Sequence, residues 1–253
     1  MSVYTEAKGA SDEVWVLLHG IGATGAAWSK FEPLLRKKIH CRSIVNDLPG
    51  HGASSSLNSY TEDDIAKHVS DAIRSQTNTT DNIILFGHSY GGTISNWIST
   101  GWYGILPKLC LCLGLKTKWS DIELNNMRKL ATKPVRVFTD EASAYDFYAR
   151  ASGVLNSDRK FLERGVSPQG ADWVLSTDPQ VYAISRPPIQ ELLTSSVCPI
   201  YFARGANDQM VDLDMLLEFQ RNSESLASGG HSAIVDAPQT VLEWALRCRS
   251  LHL

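Results

Sequence analysis

Residues 83–92 read IILFGHSYGG, and this stretch limits the fold more than any other. A run of β-branched and aromatic residues, the composition of a strand buried on both faces, ends abruptly at Gly87. Ser89 follows between Gly87 and Gly91, and Ile94, Trp97 and Ile98 then recur at helical spacing until Gly101. So short a passage from strand to helix brings the two too close for side chains at positions 87 and 91. A serine on such a turn is held in a strained backbone conformation, its hydroxyl above the sheet and beside the positive end of the new helix. The plainer reading is that Ser89 merely caps the helix.

The pattern Gly87-His88-Ser89-Tyr90-Gly91 is modest evidence by itself. With 18 glycines and 27 serines in 253 residues, chance supplies roughly one G-x-S-x-G in every seven or eight such chains. Its position between a strand and a helix is what makes it informative. The rest of the chain repeats that alternation. VWVLL (14–18) leads through HGIGATG into AAWSKFEPLLRKK, and CRSIV (41–45) leads through NDLPGHG to a helix opening at Thr61 with Asp64 as its capping partner. KLCLCLGL (108–115) and PIYFAR (199–204) are further strands, DLDMLLEFQRN is a helix, and PQTVLEWALRCRSL (238–251) closes the chain. Continuous apolar strands separated by helices indicate an α/β fold with a mostly parallel sheet covered on both faces.

Residues 116–195 break this rhythm with little strand signal. Helices are expected there from Ser120, from Thr139, from Ser157 and through IQELLTS. The division expected is a discontinuous core of 1–115 and 196–253, with 116–195 as a helical cap inserted over the sheet's edge.

A serine hydroxyl is a poor nucleophile and needs a base that is itself oriented by an acid. The motif places that acid and then a histidine after the serine. Only His231 and His252 follow Ser89, and His252 is next to the chain's last residue. His231, in the loop SGGHSAIVDAP, is the expected base. Asp208 in ARGANDQMV follows a buried strand and is the expected acid, with Asp212, Asp214 and Asp236 as rivals. The backbone N–H groups of Tyr90 and of Ile21, in the turn His19-Gly20-Ile21-Gly22, are the expected donors to an oxyanion. His19, His51 and His88 are expected to tie loops together rather than to react, and His40 and His68 to lie at the surface.

These pieces, LLHGIGATGAAW, DLPGHG, FGHSYGG, ARGANDQMV and GGHSAIVDAP, resemble in kind and order the α/β-hydrolase superfamily, in its capped, esterase-like branch. The resemblance implies a mostly parallel, about eight-stranded sheet. It also implies Ser89, Asp208 and His231 as catalytic triad, Ile21 and Tyr90 as oxyanion donors, and no cofactor. Only the insert departs from it, matching no subfamily, so the substrate stays open. The expected activity is hydrolysis of a small or medium, mainly apolar ester, lactone or amide through an acyl-enzyme. Aromatics of the insert (Trp119, Phe138, Tyr145, Phe147, Tyr148, Trp173) suggest an apolar pocket. Two other classes fit the same residues: a cofactor-independent dioxygenase or C–C bond hydrolase using the His–Asp pair as base, and a non-enzymatic receptor for a hydrophobic small molecule.

The formal charge of −3 and the absence of a basic cluster beyond Arg36, Lys37 and Lys38 argue against nucleic acid or an anionic membrane as partner. No stretch approaches the roughly 18 to 20 apolar residues of a spanning helix, and the first residues lack the pattern of a signal peptide. Five cysteines match no zinc spacing, and Cys110 and Cys112 fall in an apolar run, as core thiols do. A soluble cytoplasmic protein with reduced thiols is expected; whether it is a monomer or a homodimer is open.

Overall fold

Val14, Val16 and Leu18 face one side of a strand and Trp15 and Leu17 the other, and all five are fully buried. Such a strand needs cover on both faces, and the computed structural model, which describes residues 2–154 and 158–253, supplies it. The chain runs through β1 (Thr5–Lys8), β2 (Glu13–Leu18), α1 (Phe31–Lys38), β3 (Arg42–Asn46), α2 (Glu62–Gln76), β4 (Asn82–His88), α3 (Tyr90–Ser99) and β5 (Leu109–Leu113). Between β5 and the next strand of the same sheet lie α4 (Asp121–Ala131), β6 (Val137–Phe138), α5 (Glu141–Ala151), β7 (Val166–Gln169), β8 (Asp172–Leu175) and α6 (Ile189–Ser195). The remainder is β9 (Ile200–Arg204), α7 (Leu213–Leu217), β10 (Glu224–Ser225), α8 (Ala233–Asp236) and α9 (Pro238–Arg249).

The main sheet has the order β1-β3-β2-β4-β5-β9-β10. Only the β1–β3 pairing is antiparallel. Among the described residues it therefore has seven strands rather than about eight. α2, α3 and α6 contribute to the apolar cluster on one face, around Val16, Leu85 and Cys112. α1 and α9 contribute to the cluster on the other face, around Phe86. Phe86 is ringed there by Trp28, Phe31 and Trp244, with centroids 4.9, 5.2 and 5.7 Å away in edge-on contact. Burial of such a ring contributes roughly 1.5–3 kcal/mol, with more from the aromatic contacts. That anchors β4 one residue before Gly87. Among the described residues no helix is long and apolar enough to cross a membrane.

The insert differs from its expected all-helical form. A three-stranded antiparallel sheet, β6-β8-β7, runs through it. Its strands have two to four residues, too few for an alternating pattern to register. Gly170, at φ +67, lies in the two-residue turn joining β7 to β8. α4 starts at Ser120 with a full capping box as expected. α5 is capped by Asp140 rather than Thr139, because the Asp140 carboxylate accepts from the Ser143 N–H at 2.8 Å. The helix expected from Ser157 starts outside the described residues; a single 3-10 turn, Arg159–Leu162, stands in its span. α6 buries Ile189 and Leu192, and Ile189 joins the same cluster as Ile94 and Ile98 of α3. α7 is only five residues long, shorter than DLDMLLEFQRN.

Candidate active site

Ser89 stands between β4 and α3, as the residue that caps the helix, with φ 51 and ψ −117. An L residue in that region carries a strain of about 1–3 kcal/mol, tolerated only where the surroundings over-determine it. Those surroundings are tight. A Cβ on Gly87 would lie 2.2 Å from the Gly91 carbonyl oxygen, and one on Gly91 would lie 2.3 Å from that of Leu18. The Ser89 N–H donates to the Leu113 carbonyl of the neighbouring strand at 2.8 Å, fixing the turn between β4 and β5.

The structure brings Ser89, His231 and Asp208 together from the C-terminal ends of β4, β10 and β9. Ser89 Oγ is 3.0 Å from His231 Nε2, and His231 Nδ1 is 3.0 Å from Asp208 Oδ2. An ionised carboxylate can only accept, so Nδ1 carries the proton toward Asp208, and Nε2 is left to accept from the Ser89 hydroxyl. The other Asp208 oxygen accepts from the N–H groups of Met210 and Val211 at 2.8 and 3.1 Å. Burial alone would raise the Asp208 carboxyl. The hydrogen bond and charge of His231, with the two amides, outweigh it and hold the carboxyl below the usual aspartate range.

The turn His19–Gly22 follows β2 and lies against the serine: a Cβ on Gly20 would be 3.3 Å from Ser89 Cβ. Among the described residues neither the Ile21 N–H nor the Tyr90 N–H has an acceptor. Three histidines hold the surroundings. His51 Nε2 accepts from the Gly22 N–H at 3.0 Å, and His19 Nε2 accepts from the Leu48 N–H at 2.8 Å. His88 Nε2–H donates to the His231 carbonyl at 2.8 Å. Burial pushes His19 and His88 down to about 3 and His51 down to about 4, so each is neutral. They tie loops together, as expected. His40 is exposed, His68 is half-buried, and His252 is exposed and bonds the Tyr201 hydroxyl.

The rivals for the acid lie elsewhere. Asp212 and Asp214 stand at the start of α7, and Asp236 accepts from the Gly230 N–H at 3.0 Å, steadying the loop that carries His231. An unforeseen pair supports the same turns. Arg164, one of two non-glycine residues at positive φ among those described, donates from Nε to the buried Asp47 carboxylate at 2.8 Å. Asp47 in turn accepts from Gly25 and Ala53 N–H groups at 2.7 and 3.0 Å. A buried carboxylate in DLPGHG called for a cation, but nothing local pointed 117 residues ahead.

A cavity of about 610 Å³ opens over Ser89, lined from the core by Ile21, Tyr90 and Thr93 and from the insert by Trp119, Met127 and Phe147, among others. Of the six aromatics expected to shape it, Trp119 and Phe147 do. Phe138, Tyr145, Tyr148 and Trp173 pack in or against the Phe86 cluster instead. Tyr182, which lines the cavity beside Gly22, carried no such expectation.

A serine at positive φ thus stands between a strand and a helix of a mostly parallel sheet, hydrogen-bonded to an imidazole that is bonded in turn to a carboxylate. The model of the alpha/beta hydrolase family matches residues 15–244, and the chain belongs to that family. Protein phosphatase methylesterase 1 of Bos taurus is 26% identical over 154 residues, which is 59% of this chain and 40% of the relative. The chain thus covers about two fifths of that relative's length. The 2-hydroxy-6-oxononadienedioate/2-hydroxy-6-oxononatrienedioate hydrolase of Escherichia coli O81 is 28% identical over 228 residues, 81% of this chain and 74% of the relative. Among solved structures, the thioesterase domain from the curacin biosynthetic pathway superposes with a TM-score of 0.80 at 21% identity, over 96% of this chain and 94% of that one. At that identity the likeness speaks for the fold alone.

Proposed function

We propose that this protein is a serine hydrolase that cleaves a small or medium, mainly apolar ester, lactone or amide through an acyl-enzyme on Ser89. The observation that carries this reading is the unbroken series Ser89–His231–Asp208, with both contacts at 3.0 Å, next to two unpartnered amides. His231 Nε2 takes the hydroxyl proton as Ser89 Oγ attacks the carbonyl carbon. The oxygen that becomes negative is received by the Ile21 and Tyr90 N–H groups, each worth roughly 3–4 kcal/mol of barrier. His231 then protonates the leaving group. A water attacks the acyl-enzyme by the same route and returns the proton to Ser89. Asp208 fixes the tautomer and offsets the imidazolium charge. No step calls for a cofactor.

In this reading the insert from residue 116 is a cap whose apolar wall, with Trp119, Met127 and Phe147, selects the acyl group. The methylesterase among the relatives agrees with an ester substrate. A His231–Asp208 base acting on substrate without the serine would use the same Nε2 after the Ser89 hydroxyl turns away, so the serine variant is what separates the two readings. The test is a series of p-nitrophenyl esters of increasing chain length with wild type and Ser89→Ala. A hydrolase loses activity on the order of 10⁴-fold or more. Retained turnover in the variant, or oxygen uptake, would support the base mechanism. Tight binding without turnover by wild type would make the protein a receptor.

A further inference from the structure

The cavity over Ser89 is lined by five charged residues, Glu62, Lys116, Glu123, Lys133 and Arg136. Three of them are already engaged. Lys116 is ion-paired with Glu123 and lies 4.8 Å from the Trp119 ring centre. Glu62 is buried and accepts from the Ser185 N–H and hydroxyl at 3.1 and 2.8 Å. Lys133 and Arg136, between α4 and β6, have no carboxylate within salt-bridge distance among the described residues.

Arg136 is also held in place. Its guanidinium lies 4.2 Å from the ring centre of Phe147, itself a cavity residue, and 5.3 Å from that of Phe138. Stacking of this kind fixes the plane of the group and leaves its N–H edges to meet an anion. Two other arginines lie over rings, and both have acids on their edges: Arg159 pairs with Glu141, and Arg164 with Asp47 and Glu6. Arg136 has none among the described residues. Leu130 and Val135 line the same wall, and Lys133 and Arg136 are exposed at its rim, where an incoming anion reaches them from water.

We propose that Arg136 and Lys133 form a subsite for an anionic oxygen group, carboxylate or phosphate, at the end of the acyl chain whose carbonyl reacts at Ser89. Its kinetic readout rests on the hydrolase reading; its binding readout does not. The substrate is then an apolar chain with an ester at one end and an anion at the other.

Three p-nitrophenyl esters of equal chain length test this: one ending in methyl, one in carboxylate and one in phosphate. Wild type should show kcat/KM at least tenfold higher for one anionic ester than for the neutral one, and 0.5 M salt should reduce that ratio. The double variant Arg136→Gln/Lys133→Gln should bring the ratio near one, with Arg136→Lys between. Lys129→Gln, an exposed cation outside the cavity, should keep the wild-type ratio. The better anionic ester identifies the group. A wild-type ratio near one, or an unchanged ratio in the double variant, would overturn the subsite. If no ester is cleaved the hydrolase reading fails, and calorimetry with suberate and octyl phosphate decides the subsite alone. Binding lost in the double variant supports it, and equal or absent binding in both proteins overturns it.

Discussion

Gly91→Ala is an ordinary stabilising change in most helices, since alanine exceeds glycine by about 1 kcal/mol. Here the sign should reverse. A Cβ at position 91 would lie 2.3 Å from the Leu18 carbonyl oxygen and 2.6 Å from both the Leu18 carbonyl carbon and the His19 oxygen. Bringing the nearest contact to 3.0 Å requires about 0.7 Å of separation between α3 and the end of β2. Both partners are backbone in a packed layer, so overpacking should reach the upper end of its usual range, about 3 kcal/mol. Set against the helix preference, the net loss is about 2 kcal/mol, or roughly 4–8 °C in Tm for a chain of this size. The same shift moves the Tyr90 N–H away from the Ile21 turn, so kcat should fall further than the stability loss explains. Gly92→Ala is the internal control, because its Cβ would meet the Cys112 Cβ at 3.3 Å and the Gly87 oxygen at 3.5 Å. It should stay within about 1 kcal/mol of wild type. Thermal melts by circular dichroism, with initial rates on one ester at 25 °C, read both effects. A Gly91→Ala protein that melts at or above wild type would refute the steric argument.

The buried histidines set the acid limit of the fold. His19, His51 and His88 stay neutral at values depressed to about 3 and 4, while an unfolded histidine protonates near 6.5. A depressed folded value means that the unfolded chain binds more protons as the pH falls. Stability is therefore full above about 6.5 and is lost below it, by on the order of 4 kcal/mol in sum between pH 7.5 and 5.5. Urea titrations at the two pH values check this, and equal midpoints would contradict it. Arg164→Ala strands the Asp47 carboxylate, which is 0% exposed, and should cost about 3–5 kcal/mol, read by the same titration. A loss below 1 kcal/mol would show that the Gly25 and Ala53 amides suffice. Asp208→Asn should lower kcat on the order of 10⁴-fold with little change in KM, because the amide favours the wrong tautomer of His231. A decrease under tenfold would remove Asp208 from the proposed mechanism.

The parts of the site legible in the chain were those whose physics is local. A buried strand ended by glycine and followed by helical spacing could hardly be built without a sharp turn at Ser89, and its φ of 51 agrees. His231 stood out because only one other histidine follows Ser89. Asp208 was set apart by its place in the turn right after a buried strand, whereas Asp212 and Asp214 read as first-turn residues of the next helix, where they stand. The edge strand β1 was missed because TEAK is polar and half-exposed, held by its pairing with β3 rather than by an apolar face. The small sheet of the insert escaped for a related reason, since it includes Pro168 and two-residue β6. Arg164 and Asp47 meet only through tertiary folding. The same is true of Arg136 and its two rings, so their chemistry could be read only once the structure had brought them together.

The most direct test of the Ser89 chemistry is covalent. Folded protein treated with a fluorophosphonate, weighed intact and mapped by peptide, should carry one adduct on Ser89. Prior incubation with a slowly hydrolysed ester should block that adduct, and Ser89→Ala should lack it. A native protein that stays unmodified, or one labelled at another residue, would contradict the acyl-enzyme.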